Sequence, residues 1–88
     1  MLTLDEAKNY LRVDFADDDK FITDLMNYSK EYLLGAGISA SESFLYKLAQ
    51  EIIINDRYNN RGSESVTSKA QSSLNEIILQ LQNPDTEA

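Results

Sequence analysis

Any chemistry in this chain has to come from oxygen and from a few amines. The 88 residues include fifteen Asp or Glu, eight Lys or Arg and five tyrosines, with neither histidine nor cysteine. That removes the commonest general base and metal ligand together with the best nucleophile. It also excludes thiolate metal sites and disulfide frameworks. The densest acidic run, Asp14 with Asp17, Asp18 and Asp19, invites a calcium reading. Counted from Asp14, the third position of an EF-hand loop is Ala16, the glycine position is Asp19 and the glutamate position is Leu25. The ligand pattern fails at each of these places. No spacing marks a pair of carboxylates as buried or brought together, and the glycines Gly35, Gly37 and Gly62 form no phosphate-cradling loop. The expectation is a protein that binds without catalysing, with no cofactor and no metal.

Charge narrows what it binds. The net charge is −7, whereas nucleic-acid backbones and anionic membrane surfaces both select for clustered Lys and Arg. The longest aliphatic run is Ile52-Ile53-Ile54, far short of the roughly 20 residues that span a bilayer. The N-terminal stretch is amphipathic and charged, unlike the apolar core of a signal peptide. An apolar fraction of 42% with 26% charged residues suits a folded domain, and the length suits a single one over residues 1–88.

The elements that position these groups read as helices. The first runs from about Leu4 to Arg12, opened by a capping box of Thr3 and Glu6, with Leu4, Ala7 and Leu11 on one face and Tyr10 beside them. The second follows the acidic cap of Asp17, Asp18 and Asp19. Its apolar face is Ile22, Leu25, Met26, Ser29, Tyr32 and Leu33, and Gly35 and Gly37 end it. A third, capped by Ser41 or Ser43, reaches about Tyr58. Its main face is expected at Leu45, Leu48, Ala49, Ile52 and Ile53, with Ile54 off that face and Tyr58 one turn beyond. So wide an apolar arc implies a helix that is central in the domain or that meets a neighbour. A polar loop spans about Asn59 to Lys69, longer than the usual four to six residues. A fourth helix carries Leu74, Ile77, Ile78 and Leu81, is stopped by Asn83 and Pro84, and leaves a frayed tail at 84–88. Tyr28 and Tyr32 are expected as half-buried boundary residues. The fold expected is all-α, a small domain of about four helices with a polar loop before the last.

Three stretches together resemble one family. The opening Leu2-Thr3-Leu4-Asp5-Glu6-Ala7-Lys8-Asn9-Tyr10-Leu11-Arg12-Val13-Asp14, followed by Asp17-Asp18-Asp19 and the helix ending Ser29-Lys30-Glu31-Tyr32-Leu33, is similar to the start of phage head–tail connector proteins. These are the small adaptors, sometimes labelled DNA-packaging proteins, of long-tailed phages and prophages. Ile53-Ile54-Asn55-Asp56-Arg57-Tyr58-Asn59-Asn60-Arg61 resembles the family's aliphatic helix ending in an aromatic and then Asn-Arg. Ser73-Leu74-Asn75-Glu76-Ile77-Ile78-Leu79-Gln80-Leu81-Gln82 resembles its last helix. The chain departs from the family before that helix, where Val66-Thr67-Ser68-Lys69 replaces a Leu-Pro or Pro-Phe pair.

The resemblance implies a structural virion-assembly protein at the head–tail junction, assembled in the host cytoplasm. Copies of the chain would form a ring below the portal protein, extend the DNA channel and dock a head-completion or tail protein. DNA would be passing cargo, and an acidic lumen would not grip its phosphates. No membrane is involved. Ile54, Tyr58, Asn60 and Arg61 are the candidate protein-interface residues. Two other readings compete. A DNA mimic that inhibits a host protein needs acids dispersed over one face, yet seven of the fifteen precede Leu25. A DNA-binding regulator needs a basic recognition helix, and the third helix sets Glu42, Glu51 and Asp56 against Lys47 and Arg57.

Overall fold

The computed structural model describes residues 2–39, 42–60 and 66–82. It contains four helices, α1 (Leu4–Leu11), α2 (Asp19–Gly35), α3 (Phe44–Asn59) and α4 (Ser68–Gln82), and no strand among the described residues. The all-α fold is as the periodicity predicts. The loop expected over 59–69 is shorter at both ends, because Asn59 closes α3 while Ser68 and Lys69 begin α4. Residues 61–65, 40–41 and the tail 84–88 lie outside the described set, as do the two stop residues Asn83 and Pro84.

The antiparallel pair α2 and α3 forms the centre, with α1 laid against both and α4 against α3. Each start has its own cap. Thr3 Oγ1 accepts from the Glu6 amide at 3.2 Å while Glu6 Oε1 accepts from the Thr3 amide at 2.9 Å, which completes the reciprocal box. Of the two serines considered, Ser43 caps α3, its Oγ accepting from the Tyr46 amide at 3.1 Å. The acidic cap of α2 is different from expectation. Asp18 occupies the N-cap position but its carboxylate caps no amide of the helix. It accepts instead from the Tyr58 hydroxyl at 2.6 Å, a charge-assisted bond across 40 residues of sequence.

The first two helices end in the same motif built from different residues. At the end of α2 the amide of Ile38 donates to the Leu33 carbonyl and that of Gly37 to Leu34, both at 2.9 Å, with Gly37 at φ 85°. At the end of α1, Val13 donates to Lys8 at 2.9 Å and Arg12 to Asn9 at 3.2 Å, with Arg12 at φ 62°. Glycine adopts that conformation freely, whereas an arginine there is strained by roughly 1–2 kcal/mol.

Two apolar clusters share the core. The first gathers Leu2, Ala7, Val13, Ile22, Leu25 and Ile54; the second gathers Leu33, Ile38, Tyr46, Ala49, Ile53 and Leu74. The buried face of α3 is Tyr46, Ala49, Gln50, Ile53, Ile54 and Asp56, rotated from the expected one. Leu45, Leu48 and Ile52 are only half-buried. Helical spacing alone offers two adjacent arcs on α3, and packing of α2 selects the one carrying Tyr46 and Gln50. Buried Gln50 is half satisfied: its Nε2 donates to Ser29 Oγ at 3.1 Å and that hydroxyl donates to the Met26 carbonyl at 2.7 Å, whereas its Oε1 has no partner among the described residues.

Candidate interaction surface

The residues singled out at the exit of α3 fall into different environments. Ile54 is 1% exposed and sits in the first cluster. This corrects the expectation that it lies off the core: its side chain packs against α1 and α2 and offers no surface to a partner. Tyr58 is half-buried against the same cluster, its ring 6.0 Å from that of Phe21. With its hydroxyl on Asp18, it fastens the end of α3 to the start of α2. Asn60 is exposed and closes α3, donating from its backbone amide at 3.0 Å and from Nδ2 at 2.9 Å to the Asp56 carbonyl. Arg61 lies outside the described residues. Tyr28 and Tyr32 are half-buried, as expected. The Arg57 guanidinium stands 5.5 Å from the centre of the Tyr28 ring, and the Tyr32 hydroxyl donates to Gln71 of α4.

Asp56 is the residue that sequence reading missed. It is 8% exposed. Its Oδ2 accepts from the Thr67 amide at 3.0 Å and its Oδ1 from the Thr67 hydroxyl at 2.6 Å. One carboxylate therefore ties the end of α3 to the residue that precedes α4. A buried carboxylate is stable there because three donors, counting the longer contact from Asn60 Nδ2 at 3.4 Å, replace its water. Nothing in the spacing of Asp56 and Thr67, eleven residues apart, signals the pairing.

Beside this staple a groove of about 470 Å³ opens between α1 and α4, with α3 as its floor. Tyr10 and Ile52 give it apolar surface; Asn55, Asn59, Lys69 and Ser73 give it polar groups. Asn59 Nδ2 donates to the carbonyl and the side-chain oxygen of Asn55 at 2.8 and 2.9 Å. The Asn55 amide nitrogen and the Asn59 side-chain oxygen have no hydrogen-bond partner among the described residues, and both residues line the groove. Asp56 is the single acid of the lining among the described residues, and both its oxygens are engaged. Lys69 is exposed and pairs with no carboxylate among the described residues. Three other lysines are committed: Lys8 to Asp19 at 2.6 Å, Lys20 to Asp24 at 3.2 Å and Lys47 to Glu6 at 3.3 Å.

Near that last pair, two carboxyl groups move in opposite directions. The Thr3 backbone amide, aided by Lys47, holds Glu6 below the usual carboxylate range. Burial, with repulsion from Glu6, pushes Glu51 up against the opposing pull of Lys47. No group of three or more Asp or Glu among the described residues could hold a metal ion, and no described helix is long and apolar enough to cross a membrane.

No curated protein and no solved structure matches the chain. Residues 1–83 match the family described as phage gp6-like head-tail connector protein. The match covers the capping box of α1, the Tyr58-Asn59-Asn60-Arg61 exit of α3 and all of α4. The chain therefore belongs to the phage gp6-like head-tail connector proteins, structural connectors of the phage particle.

Proposed function

We propose that several copies of this chain form a ring below the portal protein at the head–tail junction. The ring extends the channel through which DNA passes and docks a head-completion or tail protein. The observation that carries this reading is family membership across 83 of 88 residues. The composition agrees with it. A net charge of −7 leaves passing DNA ungripped, and half-buried Leu48 and Ile52 with exposed Phe44 leave apolar surface on α3 for contacts between subunits.

Within that reading, the exit of α3 is the contact region. Arg61 and Asn60 supply the partner-facing groups, while Tyr58 and Ile54 hold the helix end in place from inside. Interface hot spots are enriched in arginine, and truncating one often costs 2 kcal/mol or more of binding. The test is Arg61→Ala, with a melting curve and co-sedimentation with portal-bearing capsids on the same sample. If Arg61 serves the partner and not the fold, the melting temperature should move by no more than a few degrees, the shift that well under 1 kcal/mol produces in a domain of this size, while assembly is lost. A variant that assembles like the parent would move the interface away from this helix end.

A further inference from the structure

The groove between α1 and α4 is set apart by its charge. In a chain with fifteen acids, its lining among the described residues has one, whose oxygens are both taken by Thr67, and it has an exposed lysine without a partner among those residues. On its floor Asn55 keeps an amide donor and Asn59 an acceptor with no partner among the described residues, and Tyr10 and Ser73 also line it. Carboxamides offering one donor and one acceptor suit a peptide backbone, which offers the same pair at every residue. The ligand this surface selects is a short acidic segment that is not helical.

The chain contains such a segment. Residues 83–88 read Asn-Pro-Asp-Thr-Glu-Ala and lie outside the described structure. Pro84 lacks an amide hydrogen and disfavours continuation of α4, and Asp85 and Glu87 supply negative charge. We propose that the groove receives residues 83–88 of a neighbouring copy, with Asp85 or Glu87 against Lys69. As a contact between copies, this rests on the ring proposed above.

Distance favours a neighbour over the same molecule. Gln82 Nε2 donates to the Ala36 carbonyl at 2.7 Å, which pins the end of α4 at the far end of the bundle from Thr67 and Asp56. Thirteen residues of helix separate Lys69 from Gln82, about 20 Å. Asp85 stands three residues past Gln82, so even a fully extended chain folded straight back carries its backbone only about 10 Å, half the way to Lys69. Glu87, five residues past, is carried about 17 Å and meets Lys69 only if the whole segment runs straight back along α4. A tail given to the next copy makes a head-to-tail contact, the kind that closes into a ring when the rotation per subunit permits.

The experiment adds a peptide of residues 80–88 in excess to the ¹⁵N-labelled full chain and follows amide shifts up to millimolar peptide. Shifts should concentrate at Tyr10, Asn55, Asn59, Lys69 and Ser73. Lys69→Glu, on the first turn of α4 where an acid is tolerated, should weaken binding about two- to fivefold, the range one exposed ion pair supplies. A peptide carrying Asp85→Lys and Glu87→Lys should restore binding to that variant. Three results overturn the proposal: no shifts in the groove; shifts indifferent to both charge reversals; or groove signals in the full chain that move on reversing the tail charges yet ignore dilution and added peptide, which would mean that the chain's own tail fills the site. Because the titration needs no portal, its failure leaves the portal assay on Arg61→Ala to decide the ring independently.

Discussion

The two apolar clusters are built by different means. The first, around Ile22 and Leu25, is supplied mainly by α1, the α1–α2 turn and α2, segments adjacent in sequence whose docking closes only a short loop. From α3 it takes Ile54, with Tyr58 packed at its edge and bonded to Asp18. The second needs Leu33, Tyr46, Ile53 and Leu74 from three helices, so it forms only after α4 has returned across a connection of eight residues, 60–67. Loop closure does not separate the two, since the α1–α2 connection, 12–18, has seven residues; what differs is that the second cluster draws on three helices. Its α3–α4 connection is fastened by the Asp56–Thr67 pair. Each cluster carries a polar fastening that no local pattern announces, Tyr58 on Asp18 at the first and Asp56 on Thr67 at the second.

The largest expected effects test whether the clusters are one cooperative unit. Leu74 is 0% exposed and Ile54 1%, and truncating either to alanine should cost about 2–5 kcal/mol. Both variants should show a single thermal transition, since α3 is common to both clusters. Two transitions in Leu74→Ala, with the first cluster surviving, would break the unit into a stable α1–α3 part and a separately melting α4.

Asp56→Ala should follow, at about 1–3 kcal/mol, because the Thr67 amide and hydroxyl lose their acceptor in a half-buried place. Hydrogen exchange should quicken in α4 more than in α1. Equal acceleration in both helices would deny Asp56 its special link to the second cluster.

Arg12→Gly acts on the first cluster and in the other direction. Relief of the left-handed strain should stabilise the protein by up to about 1 kcal/mol, partly offset by the greater entropy of glycine in the unfolded chain. A lowered melting temperature would mean that the arginine makes a contact worth more than its strain.

The smallest effect depends on pH. Glu51 has a folded-state pKa above its ordinary 4.5, so its ionised form is disfavoured in the folded protein. The resulting loss of stability is present at neutral pH and disappears as the pH falls through the folded pKa to below 4.5. Glu51→Gln should therefore raise the melting temperature slightly at pH 7 and leave it unchanged near pH 4. Glu6, whose pKa is lowered, contributes with the opposite sign: its stabilisation is present above 4.5 and lost in acid. A Glu51→Gln gain that persisted at pH 4 would trace to packing instead of charge.

The sequence by itself determined what depends on near neighbours. The capping box of Thr3 and Glu6, the face of α2 through Ile22, Leu25, Ser29 and Leu33, and the glycine end of that helix are all set by residues within a few positions of one another. The family, too, was legible in short stretches that keep their order along the chain. The tertiary structure alone decided which arc of α3 is buried, because helical spacing is silent about the side from which α2 arrives. It placed Ile54 in the core, took Asp18 from the cap of α2 to Tyr58, and set Asp56 on Thr67 and Lys69 on the rim of a groove. Each of these joins residues whose energies depend on where a distant helix lands, and a pattern confined to one helix carries no record of that.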